Sequence, residues 1–188
     1  MKIILGSKSF GRKKVLEDAG YTFIVMDPNI DEKSIRSDDY RKLPMLLAHA
    51  KADTLLKQIH EPAILITSDQ IVVCKNEIRE KPISKQQAQE FLRSYGNNFA
   101  ETFTAVVVTN TATGKYTEGL EVVKIFFKPI PENVINQVID EGRVMHTTGA
   151  FMSEDPLLMP YIKHIEGSAD SVIGLPLKLT ERLMKQVM

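Results

Sequence analysis

"AILITSDQIVVC", residues 63–74, is an apolar run with a polar break at its centre. Ile64, Leu65 and Ile66 lead in, and Ile71, Val72 and Val73 lead out. Between them sit Thr67, Ser68, Asp69 and Gln70. The β-branched content reads as a buried strand, so the carboxylate of Asp69 needs a partner. A lone charge within such a strand costs several kcal/mol to desolvate unless something offsets it, roughly as for any unpaired buried ion. A structural partner, such as a buried lysine or backbone donors, would satisfy it, and so would an active-site cation. Lys81 follows a tight turn around Lys75 and Asn76 and is one such partner. A second carboxylate nearby would gather a hard cation such as Mg²⁺.

Outward from this strand, elements alternate. Residues 2–5 are a short buried strand, residues 9–20 a helix stopped by Gly20, and residues 21–26 a second strand followed by the loop 27–32. Asp38 or Asp39 can cap a helix through residues 41–59. Leu43, Leu47, Lys51 and Leu55 fall on successive turns of one face of it, with Leu46 and Ala50 widening the stripe. Lys51 is therefore set on or beside the apolar face. Pro44 suits the first turn or a kink. Ser84 and Gln87 have capping-box spacing at the head of a helix ending near Gly96.

Two β-prone segments, 100–109 and 115–128, are joined by "NTATGK" and predict an antiparallel pair. "PENVINQVIDEG" has proline at its start and glycine at its end, the punctuation of a helix. A Gly/Pro-marked stretch runs from Gly142 to Pro176, and an amphipathic helix closes the chain. There is no repeat, low-complexity segment or linker, and the pattern predicts a mixed-sheet α/β fold.

The formal net charge is zero over 188 residues, which argues against a nucleic-acid polymer as partner. It leaves room for a small anionic ligand held by a local positive cluster. The one cysteine, Cys74, rules out an intrachain disulfide and reads as a small core residue. No apolar run approaches membrane-spanning length, and the opening residues turn polar too early for a signal peptide. A reducing, cytoplasmic compartment is the expectation.

Four places carry candidate chemistry. In "LGSKSFGRKK" a strand ends, a Gly-Ser-x-Ser turn follows and a helix begins. Helix N-termini attract anions; Ser7 and Ser9 add hydroxyls, and Arg12 adds a fork suited to phosphate oxygens. Read locally, Ser9 is equally an N-cap and the basic run a solvated face. The acidic turn Asp31–Glu32 has meaning only if it lies near other groups of the same site. Asp69 is the third place. The fourth is "HTTGAFMSEDP", residues 146–156. There Gly149 permits close backbone approach to a ligand, Phe151 can stack on a base and Glu154 can read a base edge. Against these stand a core phenylalanine and an exposed glutamate. Basic groups at 12, 51 and 81 with carboxylates at 32 and 69 suit a triphosphate with a metal ion. No Cys–His pair and no Ser–His–Asp set suggests nucleophilic catalysis.

Together these residues resemble the Maf family of nucleoside-triphosphate pyrophosphatases, once linked to inhibition of septum formation. The resemblance runs through "LGSKSFGRKKVL", "NIDE" (29–32), "LAHAKAD" (47–53), "SDQIVV" (68–73), "EKP" (80–82), "TTGAFMSE" (147–154) and "DSVIGLPL" (170–177). It implies a single domain, residues 1–188, with a mixed, strongly twisted sheet flanked by helices. Two lobes would surround a deep nucleotide-binding cleft, as in the ITPase-like folds. It implies hydrolysis of a nucleoside triphosphate to monophosphate and pyrophosphate, with Mg²⁺ or Mn²⁺, by a homodimer.

By the same resemblance Ser7, Arg12, Lys51 and Lys81 bind phosphates, with Lys81 also serving catalysis, and Glu32 and Asp69 hold the metal and the attacking water. The "SDQ" and "SE" forms resemble the 7-methyl-GTP branch and its eukaryotic members, where the commoner bacterial pattern has Ala-Asp-Thr and Gly-Ile-Gln. The alternatives are a dTTP/UTP pyrophosphatase, a phosphatase releasing orthophosphate, and a non-catalytic nucleotide-binding regulator of cell division. Phe10 and Phe151 are the candidate stacking aromatics.

Overall fold

The computed structural model describes residues 1–188. Its strands are β1 (Lys2–Leu5), β2 (Ile24–Val25), β3 (Ala63–Cys74), β4 (Glu77–Arg79), β5 (Phe99–Asn110), β6 (Tyr116–Phe127) and β7 (Ile162–Glu166). Its α-helices are α1 (Phe10–Asp18), α2 (Lys42–Leu56), α3 (Lys85–Tyr95), α4 (Glu132–Asp140), α5 (Ala169–Ile173) and α6 (Leu177–Val187). The strands form one sheet in the order β2-β1-β3-β5-β6-β7, with β4 paired to β3 off that path. β1 runs parallel to both β2 and β3, whereas β3/β4 and β6/β7 are antiparallel. This is the mixed α/β class that the alternation of elements predicts.

The chain divides into two compact units. The first comprises Met1–Gln70, Thr104–Glu121 and Ile173–Met188; the second comprises Ile71–Phe103 and Val122–Val172.

In the first unit, the two-residue period of β3 sorts its side chains onto two cores. Ala63 and Leu65 face α2, where they join Ala48, Ala52 and Leu55. Ile64 and Ile66 face the other way, toward Leu16 of α1 and Leu179 and Leu183 of α6. Each fully buried leucine or isoleucine here contributes about 1.5–3 kcal/mol of transfer free energy. The alternation continues past the apolar run. Thr67 falls on the α2 side and donates its hydroxyl to the Ala48 carbonyl at 2.9 Å. Asp69 follows on the same side, and Ser68 points to the opposite one.

The buried face of α2 is Leu43, Pro44, Leu47, Ala48, Lys51, Ala52 and Leu55. The predicted stripe is thus present, but it widens toward the alanines; Leu46 is exposed. Alanines admit close approach of helix to sheet, which a leucine at that angle would block. The Asp39 carboxylate accepts from the amides of Arg41 and Lys42, at 2.9 and 3.3 Å, just ahead of the helix. The predicted strand 21–26 shrinks to Ile24–Val25, since only those residues pair with β1.

In the second unit, Val72, Phe91, Leu92, Tyr95, Val123, Ile125, Ile135, Val138 and Phe151 share one core with Cys74. α3 begins as its capping spacing predicts: the Ser84 hydroxyl accepts from the Gln87 amide at 3.1 Å. The Gln87 side chain closes the turn onto the Ile83 amide at 2.9 Å. No helix is long and apolar enough to cross a membrane.

Candidate functional site

β1 ends at Leu5, and the loop Gly6–Ser9 delivers the chain into α1. Gly6 is required there, because a Cβ would stand 2.6 Å from Leu55 Cδ1 and 2.7 Å from Thr67 Cγ2. Ser9 is the N-cap of α1, with its oxygen 3.5 Å from the Arg12 amide. The Ser7 oxygen accepts from the Ser9 amide at 3.1 Å. The Phe10 and Gly11 amides occupy the first turn, before the first bond back to the Ser9 carbonyl from Lys13.

Arg12 is buried, and the protein fixes its guanidinium. Nε donates to the Gly174 carbonyl at 2.9 Å. Nη1 donates to the Ser7 hydroxyl at 3.2 Å and to the Ser68 carbonyl at 2.7 Å. Three of the five N–H donors are thereby spent on the fold, and those of Nη2 remain. Burial lowers the Arg12 pKa, while the charges of Asp69 and Glu32 hold it up. Arginine stays a cation under such a shift.

The loop after β2 places Glu32. Asp27 accepts from the Asn29 amide at 3.2 Å, and Asn29 takes a left-handed φ of 41°. Asp31 then caps a short 3₁₀ turn, Glu32–Ser34, by accepting from the Lys33 amide at 3.1 Å. This local chemistry turns Glu32 toward α2. Its Oε1 lies 2.7 Å from Lys51 Nζ, and the same ammonium bonds Asp69 Oδ1. The two carboxylates predicted from distant loops are therefore brought together through one lysine. Glu32 is half exposed, whereas Lys51 is 5% and Asp69 7% exposed. Burial raises the Asp69 pKa, and the charges of Lys51 and Arg12 pull it back part of the way.

The counter-ion that meets Asp69 is thus Lys51, as its place on the buried face of α2 allows. Lys81 lies exposed in the bend after β4, within the second unit. The adjacent Glu80 carbonyl accepts from the Gly149 amide at 3.2 Å, so the "EKP" and "TTGAF" segments are neighbours there.

Gly149 has a φ of 76°, and a Cβ on it would meet Val72 Cγ1 at 2.9 Å and Tyr95 Oη at 3.0 Å. Packing alone demands this glycine. Phe151 is 6% exposed and sets its ring edge-on to Tyr95 and Phe127, at centroid distances of 5.5 and 5.4 Å. Its ring is spent on the core. Phe10, at the head of α1, is 74% exposed. Glu154 is exposed and accepts from the Ser153 hydroxyl at 3.0 Å. Cys74 is buried, and burial raises its thiol pKa, which fits packing and not nucleophilic attack.

Two residues without a predicted role join the first cluster. Ser68 Oγ donates to the Gly174 carbonyl at 3.1 Å, beside the bond from Arg12 Nε. Gly174 has a φ of 113°, and its absent Cβ leaves room for Arg12 Nε, 3.3 Å from where that atom would stand. Bonds to backbone carbonyls across more than a hundred residues have no residue-type signature. The one sequence signal was the glycine between Ile173 and the Leu-Pro that opens α6.

The donor set admits a divalent cation. Glu32 and Asp69 offer hard oxygens around one point, as Mg²⁺ prefers. No group of three His, Cys, Asp or Glu side chains could hold a metal ion. The remaining coordination would have to come from water and phosphate, as is usual for Mg²⁺ with nucleotides.

A basic and acidic cluster at a strand–loop–helix junction is shared by many folds, so sequence comparison decides the family. The model of the Maf-like protein family matches residues 2–187.

The chain belongs to the Maf family. A 7-methyl-GTP pyrophosphatase of Dictyostelium discoideum is 42% identical to this Maf chain, over 98% of this chain and 96% of that one. A dTTP/UTP pyrophosphatase of Cytophaga hutchinsonii is 33% identical, covering 97% and 83% respectively. A dTTP/UTP pyrophosphatase of Alkaliphilus metalliredigens is 32% identical, covering 98% and 95%. The motifs that carry the resemblance all lie within the matched span of the Maf chain.

Proposed function

We propose that this chain hydrolyses a nucleoside triphosphate, of the 7-methyl-GTP type, to the monophosphate and pyrophosphate. The observation that carries the reading is the Lys51 ammonium held between Glu32 and Asp69, beside the guanidinium of Arg12. Two carboxylates and two cations in one partly wet cluster suit a polyanion that arrives with a metal.

In this reading the triphosphate tail lies against the first turn of α1. The Phe10 and Gly11 amides, the Ser7 and Ser9 hydroxyls and Arg12 Nη2 are its donors. Lys51 adds a mobile charge, and Lys81 carries a phosphate-binding role by resemblance. Asp69 Oδ1 is engaged by Lys51, which leaves Oδ2 to take the proton of a water. The water oxygen bonds to the α-phosphorus as the bridging oxygen on its far side leaves with pyrophosphate. Glu32 and Asp69 would hold the divalent cation, Mg²⁺ or Mn²⁺, which supplies charge neutralisation at the phosphates. Arg12 and Lys51 stabilise the charge that builds on the departing pyrophosphate.

The 7-methyl-GTP assignment rests on the relative at 42% identity and on the chemistry of Glu154. A carboxylate accepts two hydrogen bonds, and guanine offers N1–H and its 2-amino group as adjacent donors. Uracil and thymine present one N–H between two carbonyls, which repel a carboxylate. Methylation at N7 makes the base cationic, which favours an aromatic platform. With Phe151 in the core, Phe10, exposed at the head of α1, is the remaining candidate for that platform. A cytoplasmic homodimer that clears modified nucleotides is the setting expected from the family.

A panel of canonical and N7-methylated triphosphates, assayed for pyrophosphate and orthophosphate separately, tests the reading. We expect pyrophosphate, fastest from 7-methyl-GTP, and a weakened guanine preference in Glu154→Gln. Orthophosphate alone, or no product, would sink the activity; a preference for dTTP or UTP would sink only the base assignment.

A further inference from the structure

Lys51 is an unusual residue to find on the buried side of α2. It sits one turn from Leu47 and one from Leu55, both in the core, and is itself almost wholly covered. A lysine stem can lie along apolar surface, but its ammonium then needs a wet or charged end. Here that end is the carboxylate pair. Nζ meets Asp69 Oδ1 and lies 2.7 Å from Glu32 Oε1. Arg12, the second cation of the cluster, is held by the Gly174 and Ser68 carbonyls.

The charges of this cluster close without any metal. Two carboxylates are matched by one ammonium and one guanidinium. A divalent cation arriving alone would face two positive charges, and it would have to displace an ammonium whose acceptors are these two carboxylates. A triphosphate changes both conditions. It brings several negative charges, and its oxygens accept the hydrogen bonds that Lys51 gives up. Lysine suits such an exchange because its charge is a point on a flexible stem. Arg12, with three donors committed, does not.

We infer that Lys51 is the resident cation of the Glu32–Asp69 pair in the free chain, so that the divalent metal enters together with the triphosphate and Lys51 passes from the carboxylates to the phosphates. The proposal rests on the triphosphate reading for its second half only. Its first half concerns the free chain and is measured without turnover.

The test is Mn²⁺ binding to the full chain, followed by electron paramagnetic resonance, with and without an α,β-methylene analogue of GTP. Without nucleotide, Lys51→Met is expected to bind Mn²⁺ about tenfold or more tightly than the unaltered chain, on the scale by which metal-site neighbours tune affinity. The analogue is expected to tighten Mn²⁺ binding in the unaltered chain far more than in the variant. Equal Mn²⁺ affinity of the two chains in the absence of nucleotide overturns the proposal.

Should Lys51→Met fail to fold, the ¹⁵Nζ resonance of Lys51 in the unaltered chain decides the matter. It is expected to stay in place on adding Mg²⁺ alone and to move on adding Mg²⁺ with the analogue. Movement with Mg²⁺ alone overturns it. A chain that hydrolyses no triphosphate yet keeps the Mn²⁺ difference would sink the enzymatic reading and leave the counter-ion role standing.

Discussion

Asp69 concentrates the physical argument of this chain. Strand periodicity sends it to the α2 side, where Lys51 stands; burial raises its pKa, and Lys51 and Arg12 oppose the rise. The sign follows for both stability and activity. The folded chain holds this proton more tightly than the unfolded one, so the contribution to stability is full below the ordinary carboxylate pKa. It is lost as pH rises through the raised value. Activity runs the opposite way, because only the ionised carboxylate accepts a proton from water. The acid limb of kcat/KM, which reports the free enzyme, is expected above the ordinary carboxylate pKa of about 4. An acid limb at or below that value contradicts the account. Asp69→Asn is expected to cut turnover by about 10²-fold or more while the far-ultraviolet circular dichroism stays unchanged. Undiminished turnover would remove Asp69 from proton transfer.

At the scale of elements, most boundaries were legible because each has local chemistry. Ser84 and Gln87 close the head of α3, Gly20 stops α1 with a φ of 79°, and Gly142 ends α4 with one of 80°. The stripe on α2 sets Lys51 on or beside the buried face from spacing alone. What the sequence hid were choices set by remote packing. Leu46 is exposed because alanines line the approach to β3, and Phe151 is committed to a ring cluster with Tyr95 and Phe127. Ser68 and Gly174 meet through a carbonyl 106 residues apart in sequence, which no pattern announces.

The second unit offers a test at this scale. Tyr95 ends α3 fully buried and donates its hydroxyl to the Gly149 carbonyl at 2.8 Å, tying α3 to the "TTGAF" turn. Tyr95→Phe keeps the packing and strands that carbonyl. A loss of about 1–3 kcal/mol is expected in chemical denaturation. The corresponding drop in Tm is roughly 2–4 °C per kcal/mol for a chain of this size. Unaltered stability would mean that the bond is not what holds the turn.

For the molecule as a whole, the chain divides into two compact units, and family membership extends across residues 2–187. The first unit gathers Ser7 from the loop after β1, Arg12 from α1, Glu32 from the loop after β2, Lys51 from α2 and Asp69 from the middle of β3, and the second holds Lys81, Gly149, Phe151 and Glu154. The zero net charge argues against a nucleic-acid polymer as partner, and it leaves room for a local cluster of opposite charges such as this one. In the proposed reaction water attacks the α-phosphorus, which leaves pyrophosphate whole. Hydrolysis of 7-methyl-GTP in ¹⁸O-labelled water measures this directly. The account predicts ¹⁸O in the nucleoside monophosphate and none in the pyrophosphate; label in the pyrophosphate, or release of labelled orthophosphate, would contradict it.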